Sequence, residues 1–140
     1  VVLAPPSKYF ASVTERFRGL IKPTQLVVSL TKGLCESTRR RMTEIARETL
    51  GTGDVVALAG PTHAEEVAQD LPTTIVSACE DREAAEFVQN VFWGTCMRVY
   101  TNDDVLGVEL CGALIGVVAQ VLGMLVLDAA NLREENDLTI

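Results

Sequence analysis

Short apolar runs alternate with amphipathic segments of helical length along most of this 140-residue chain. Runs such as residues 55–59 are apolar at every position, which is typical of strands covered on both faces of a sheet. The segments between them carry apolar residues three or four positions apart, the spacing of one helix face. The pattern predicts strands at residues 1–4, 25–30, 54–59, 73–78 and 97–100, and helices at residues 7–20, 37–50, 62–70 and 81–92.

This alternation indicates an α/β fold with right-handed βαβ units and a mostly parallel sheet. The pattern changes at residues 102–104, after which a long apolar helix and a polar tail at residues 133–137 are predicted. Residues 110–127 form a stretch of 18 positions without a charge, the lower limit for a membrane span. Gly112 and Gly116 fit a close helix contact, and the acidic flanks favour a helix buried in protein. Burial in a membrane or in an oligomer remains the alternative.

Charge and cysteine content narrow the classes of function. The net charge of -7 excludes a nucleic-acid interface, which needs concentrated Lys and Arg. The basic run at residues 39–41 is followed by Glu44 and Glu48, which predicts a solvated helix face. Four dispersed cysteines and one histidine lack the spacing of a zinc site, so no metal is expected. We interpret the cysteines as buried thiols in a reducing compartment. No signal peptide precedes the first strand, so the predicted location is cytoplasmic.

Two loops that follow predicted strands carry the candidate chemistry. In residues 60–66, Gly60 lets a ligand approach the backbone, and Thr62 and Glu65 fit a capping box that leaves helix amides near a bound anion. Such a box also closes helices that bind nothing. Lys32 can offer a positive charge to a phosphate or to a polarised oxygen, although a solvated loop lysine has the same appearance. Since both loops follow strands, we expect them to open on one edge of the sheet.

The other candidates have simpler structural explanations. His63 lacks an identified acid or nucleophile partner, so a solvent-facing position in a first helical turn is expected. Asp103 and Asp104 precede a helix, where carboxylates cap the first turn. The chain has no Gly-x-Ser-x-Gly elbow and no Gly-x-Gly-x-x-Gly fingerprint. No catalytic residue is therefore assigned.

The order of the motifs resembles the bacterial-type glycerol-3-phosphate dehydrogenases. The similarity extends from residue 1 to about residue 119. It is carried by residues 2–7 (VLAPPS), 31–34 (TKGL), 60–66 (GPTHAEE), 71–73 (LPT), 98–102 (RVYTN) and 107–114 (GVELCGAL).

The resemblance implies a fold, a reaction and roles for individual residues. Residues 1–103 would form the C-terminal half of a Rossmann-type NAD(P)-binding domain, and residues 104–140 the first helix of a helical substrate domain plus a divergent tail. The family transfers hydride between NAD(P)H and dihydroxyacetone phosphate, giving sn-glycerol 3-phosphate. Lys32 would contact substrate and the nicotinamide of NAD or NADP. Gly60 and Thr62 would line the substrate pocket, and Ala64 would touch the cofactor.

Three departures from the family predict that this chain alone is inactive. The family's helix reads Gly-Ala-Leu-Lys-Asn, and its lysine is the proton donor and acceptor; Ile115 stands at that position here. Positioned acid–base groups supply roughly 10²–10⁴ in rate. The glycine-rich pyrophosphate turn is absent from these residues, and so is the Arg-Asn pair that grips the substrate phosphate.

An alternative function is a non-catalytic α/β module that self-associates or binds a partner. The strand at residues 1–4 would be an unpaired apolar edge, which invites pairing with another chain. The helix at residues 105–127 would lack the bundle that buries it. We therefore predict a homo-oligomer formed through that edge, that helix or both. A third alternative is a membrane-associated fragment held by the apolar helix.

Overall fold

The computed structural model describes the backbone of residues 1–62 and 64–137, and the side chains as far as residue 118 (apart from 63–65) together with 121, 122, 124 and 125. Strands and helices alternate in the order β1 (Val2–Leu3), α1 (Ser7–Arg16), β2 (Val27–Ser29), α2 (Met42–Leu50), β3 (Val55–Ala59), α3 (Ala64–Ala68), β4 (Thr73–Ala78), α4 (Arg82–Val91), β5 (Met97–Asn102) and α5 (Val105–Asp137). The α/β class predicted from the hydrophobic pattern is confirmed.

The five strands form one sheet in the order β1-β2-β3-β4-β5. Three of the four pairings are parallel, and the exception is β3 with β4. The expected βαβ unit between β3 and β4 is therefore wrong. The connection, residues 60–72, is barely long enough for a parallel crossover and holds only the five-residue α3, shorter than the helix that usually covers such a crossover.

Successive residues of the central strands point to opposite faces of the sheet, and each face has its own core. Val27 packs with Leu3, Phe10 and Met42 on the side of α1 and α2. Val28 packs with Val88 and its neighbours on the side of α4. A third, smaller cluster joins Ala57, Ala78 and Val105, where α5 begins. Both faces of β2 and β3 are thus covered, which explains their continuous apolar runs.

Helices α1 to α4 are all shorter than the periodicity predicts, and α1 and α2 are the two that lose several residues at one end. Helix α1 begins at Ser7, directly after Pro6, and ends at Arg16 rather than near residue 20. Helix α2 begins at Met42 and not at residue 37. Residues 35–40 instead form a turn in which Arg39 adopts a left-handed φ of 58° and the amide of Cys35 donates to the carbonyl of Arg40.

The basic run and the cysteines also differ from expectation. Arg41 is the N-terminal cap of α2 and is mostly buried among carboxylates, so it does not lie on a solvated helix face. Of the four cysteines only Cys79 is buried; Cys35 and Cys96 are partly exposed and Cys111 is exposed. The prediction of four buried thiols is wrong, because three of these positions lie in loops or on an open helix face.

Helix α5 begins with the predicted acidic cap. The carboxylate of Asp104 accepts a hydrogen bond from the amide of Gly107 at 2.8 Å. The helix then continues through residues 133–137, so the predicted polar tail is part of it. A Cβ atom on Gly112 would lie 3.2 Å from that of Ala59, whereas one on Gly116 would meet nothing within 4 Å. Gly112 therefore makes a close contact with β3 of the same chain, whereas the sequence predicted a helix contact through Gly112 and Gly116 together. Within the described residues no helix is long and apolar enough to span a membrane.

Candidate functional site

The candidate loops meet at one edge of the sheet because β1, β2 and β3 run in the same direction. Their carboxyl ends lead into residues 4–6, 30–34 and 60–62. The hydroxyl of Thr31 donates to the carbonyl of Pro5 at 2.7 Å, which ties the first two loops together. This convergence, which the sequence predicted, is where open α/β sheets place their ligands.

Lys32 crosses this edge to the loop after β3. Its ammonium group donates to the carbonyl of Thr62 at 3.2 Å and to the Thr62 hydroxyl at 3.3 Å. Burial lowers the pKa of Lys32, because desolvation penalises the charged form. Lys32 and Thr62, separated by 30 positions in sequence, therefore form one cationic site, and Lys32 is not a freely solvated loop lysine.

A cavity of about 320 Å³ lies between the turn after β3 and the first turns of α5. Its lining ends at Pro61, the residue before Thr62, and includes neither Thr62 nor Lys32. Gly60 and Pro61 form one wall, and Cys111, Gly112 and Ile115 form the other. Asn102 and Asp104 stand at the rim, with their side chains engaged in capping α5. The wall supplied by α5 offers a thiol and aliphatic groups but no ammonium or imidazole.

Gly60 has a packing role that sequence reasoning did not find. A Cβ atom at this position would lie 2.8 Å from the carbonyl oxygen of Thr74 and 3.0 Å from the Cα of Ile75. Both are backbone atoms of β4 that cannot rotate away. The absence of a side chain therefore lets the antiparallel strand approach, and a ligand role for Gly60 stays a prediction.

A buried carboxylate joins α5 to α2. Glu109 is only 6% exposed and accepts hydrogen bonds from the Thr43 amide at 3.0 Å and the Thr43 hydroxyl at 2.6 Å. The guanidinium of Arg41 lies 3.3 Å from the same carboxylate and also binds Glu44. The signal in the sequence is a single acidic residue among the otherwise uncharged residues 105–127.

The structure describes the backbone of some of the remaining candidate residues but not their side chains. Ala64 is the first residue of α3, two residues beyond Thr62, and its side chain lies outside the described set. His63 and the side chain of Glu65 also lie outside it, so the capping box of Thr62 with Glu65 stays a prediction. Among the described residues no group of three or more His, Cys, Asp or Glu side chains could hold a metal ion.

Comparison with known proteins agrees with this arrangement. Residues 1–85 match the family model described as the N-terminus of NAD-dependent glycerol-3-phosphate dehydrogenase. A glycerol-3-phosphate dehydrogenase (NAD(P)+) of Clostridium acetobutylicum is 43% identical over 124 residues, which cover 89% of this chain and 37% of that protein. One from Lactobacillus delbrueckii subsp. bulgaricus is 47% identical over 130 residues, covering 89% and 39%.

Solved structures support the same relationship. The crystal structure of glycerol-3-phosphate dehydrogenase from Coxiella burnetii superimposes with a TM-score of 0.73 at 34% identity, covering 79% of this chain and 34% of that one. The Plasmodium falciparum enzyme gives the same TM-score of 0.73 at 24% identity, which shows the fold alone.

A mostly parallel α/β sheet with its candidate site at the carboxyl edge is the arrangement of the Rossmann-type nucleotide-binding folds. The chain belongs to the NAD-dependent glycerol-3-phosphate dehydrogenase N-terminal family. It spans less than two fifths of the length of the curated relatives named above.

Proposed function

We propose that these residues form the part of a glycerol-3-phosphate dehydrogenase that holds the reacting end of the substrate and cofactor. The whole protein would interconvert dihydroxyacetone phosphate and sn-glycerol 3-phosphate with NAD or NADP in the cytoplasm. The observation that carries this proposal is the Lys32–Thr62 pair at the carboxyl edge of the sheet, where the preceding residues Gly60 and Pro61 line a cavity. Residues 1–103 would belong to the nucleotide-binding domain and residues 104–140 to the start of the substrate domain.

Each proposed role follows from the position of the residue. The ammonium of Lys32 already binds two oxygens of Thr62 and would exchange one of them for a substrate oxygen. Thr62 would then orient the substrate through its hydroxyl. Gly60 would form the wall beside it, and Ala64, at the start of α3, would face the cofactor.

The residues present fit the nicotinamide end of a cofactor rather than all of it. A cavity of about 320 Å³ with mainly aliphatic walls suits a ring, whereas a dinucleotide also needs a site for its pyrophosphate. No Gly-x-Gly-x-x-Gly turn occurs in the 140 residues. When bound, the cofactor would supply the hydride; Lys32 would polarise the carbonyl that receives it.

We propose that this chain by itself does not complete the reaction, because Ile115 occupies the position from which the family's lysine exchanges a proton. Ile115 lines the cavity and has no titratable group. An alkoxide that forms in this cavity would meet no ammonium group on the α5 wall, where Cys111 offers only a weakly acidic thiol. The loss of such a group costs roughly 10²–10⁴ in rate.

The test is NADH oxidation with dihydroxyacetone phosphate by the purified chain and by the Ile115→Lys variant. The expected result is no turnover by the native chain. A matched control is Leu114→Lys, since Leu114 is the neighbouring residue of α5, is 65% exposed and does not line the cavity. Turnover by the native chain would refute the inactivity. If Ile115→Lys gains turnover and Leu114→Lys does not, the residue at position 115 is the dominant defect. If neither variant gains turnover, the dominant defect is the missing pyrophosphate site.

A second proposed property of the chain is self-association. Among the described residues β1 pairs with β2 alone, and Val2 at this edge is 63% exposed. A groove of about 600 Å³ lies between this edge and α4, lined by Phe87 and Val91 among others. Along α5, exposed apolar side chains recur at three- and four-residue spacing: Leu110, Leu114, Val117, Val121 and Met124. Burial of either apolar surface against a second copy of the chain would stabilise the oligomer by removing apolar area from water.

Light scattering at micromolar concentration tests this property, and a dimeric or larger mass is expected. Val2→Lys places a charge on the strand edge and Val121→Lys places one on the helix face, so the variant that lowers the mass identifies the surface. A monomeric mass for the native chain would contradict the proposal.

A further inference from the structure

Glu109 is the one acidic side chain that α5 presents to the α/β layer within residues 105–118. The buried face of this segment consists otherwise of Val105, Val108 and Gly112, which contact the sheet. Glu109 lies on the same face but points to the first turn of α2. There its carboxylate receives three donors, two from Thr43 and one from Arg41.

The energetic character of this contact differs from that of its apolar neighbours. Apolar packing tolerates sliding and rotation, whereas hydrogen bonds require a particular distance and direction. A buried carboxylate that loses its donors is strongly penalised, so few alternative positions of α5 satisfy Glu109. The Thr43 amide is also one of the unpaired donors at the N-terminus of α2, and the carboxylate complements the dipole of that helix.

This contact lies close to the cavity along the helix. Gly112 follows Glu109 by three residues and approaches Ala59, and Ile115 follows Gly112 by three more. Position 115 is therefore about 9 Å along the helix axis from Glu109 and about 120° around it, so the two residues lie at opposite borders of the face that packs on the α/β layer. The hydrogen bonds of Glu109 and the close contact of Gly112 with Ala59 together define the rotation of α5 about its own axis and its distance from β3.

We propose that Glu109 is a positioning residue for the candidate site: through Thr43 and Arg41 it fixes the rotation of α5 that turns position 115 toward the cavity at Gly60. The proposal rests on the assignment of that cavity as the reaction site. It requires no turnover, however, and so can be tested separately from the proposed function.

The experiment measures backbone amide chemical shifts and hydrogen exchange by NMR for the native chain and four variants. Glu109→Ala removes the acceptor. Thr43→Val removes one donor and keeps the shape of the side chain. Glu109→Gln retains an oxygen for Thr43 but loses the charge. Glu86→Ala is the matched control, because Glu86 also binds an arginine, Arg82, but on the exposed face of α4.

In Glu109→Ala we expect the Thr43 amide and the α5 amides of residues 109–116 to exchange about 10- to 100-fold faster. Amides in β2 and β3 should change much less. The Gly60 and Gly112 resonances should shift, because α5 changes its position over the cavity. Thr43→Val should affect the same residues to a smaller extent, and Glu109→Gln should restore part of the native pattern.

Two results would overturn the proposal. One is a uniform increase in exchange through the whole sheet with unchanged Gly60 and Gly112 shifts, since Glu109 would then only stabilise the fold. The other is an unchanged spectrum around the cavity in both Glu109→Ala and Thr43→Val. If Glu109→Ala does not fold, Thr43→Val and Glu109→Gln decide the question by the same criteria.

Discussion

Replacing Gly60 by alanine tests whether β4, and not only a ligand, requires the bare backbone at the end of β3. The added methyl group would lie 2.8 Å from the carbonyl oxygen of Thr74 and 3.0 Å from the Cα of Ile75. Carbon atoms in good contact lie about 3.5–4.0 Å apart. One of the two strands must therefore shift by several tenths of an ångström at the point where the sheet changes direction.

The expected loss of stability follows from this overlap. Overpacking of a well-packed site costs about 1–3 kcal/mol. Alanine also lowers the conformational entropy of the unfolded chain, which offsets about 0.4–1 kcal/mol of this loss. We therefore expect the free energy of unfolding of Gly60→Ala to fall by about 1–2 kcal/mol. With a denaturant slope of about 2 kcal/mol/M for a chain of this size, the urea midpoint should fall by about 0.5–1 M.

The control is the same substitution at Gly116, where a Cβ atom would meet nothing within 4 Å. In a helix, alanine is favoured over glycine by about 0.5–1 kcal/mol, so Gly116→Ala should raise the urea midpoint. Urea unfolding followed by circular dichroism, at one protein concentration for all three proteins, measures both shifts. A Gly60→Ala protein as stable as the native chain would refute the packing argument.

Two further predictions concern titration. Hydrogen bonds from Ser37 and Thr38 lower the pKa of Cys35 to about 7, whereas burial raises the pKa of Cys79. Cys35 should therefore react with iodoacetamide faster than Cys79 at pH 7.5, and its reaction rate should rise as the pH increases through about 7. Peptide mass spectrometry identifies the labelled cysteine. Faster labelling of Cys79 would contradict the prediction. The backbone amide of Arg41 lowers the pKa of Glu44, as does its guanidinium. The resulting stabilisation is present above the unfolded pKa of about 4.3 and is lost as pH falls through the folded value. Glu44→Gln should thus make the urea midpoint less dependent on pH below about 5, and an unchanged pH dependence would show that the contact contributes nothing.

Much of the fold follows from local sequence. The apolar runs place all five strands within two residues of their observed ends. For β2 and β3 the reason is that a strand covered on both faces is apolar at successive positions. The convergence of Lys32 and Thr62 was also predictable, since both follow strands that proved parallel. The acidic cap of α5 depends only on residues within one turn and was found for the same reason.

The tertiary structure decided what depends on contacts distant in sequence. The reversal of β4 is not encoded in its apolar pattern, which parallel and antiparallel pairings share; it makes Gly60 a packing residue. The late start of α2 depends on the turn at residues 35–40 and on the cap formed by Arg41 with Glu44. Glu109 lies 66 positions from Thr43, so no window of sequence pairs them. The sequence by itself therefore determined the class of the fold and its candidate edge, while the direction of β4 and the attachment of α5 required the folded chain, because both are properties of surfaces that meet only after folding.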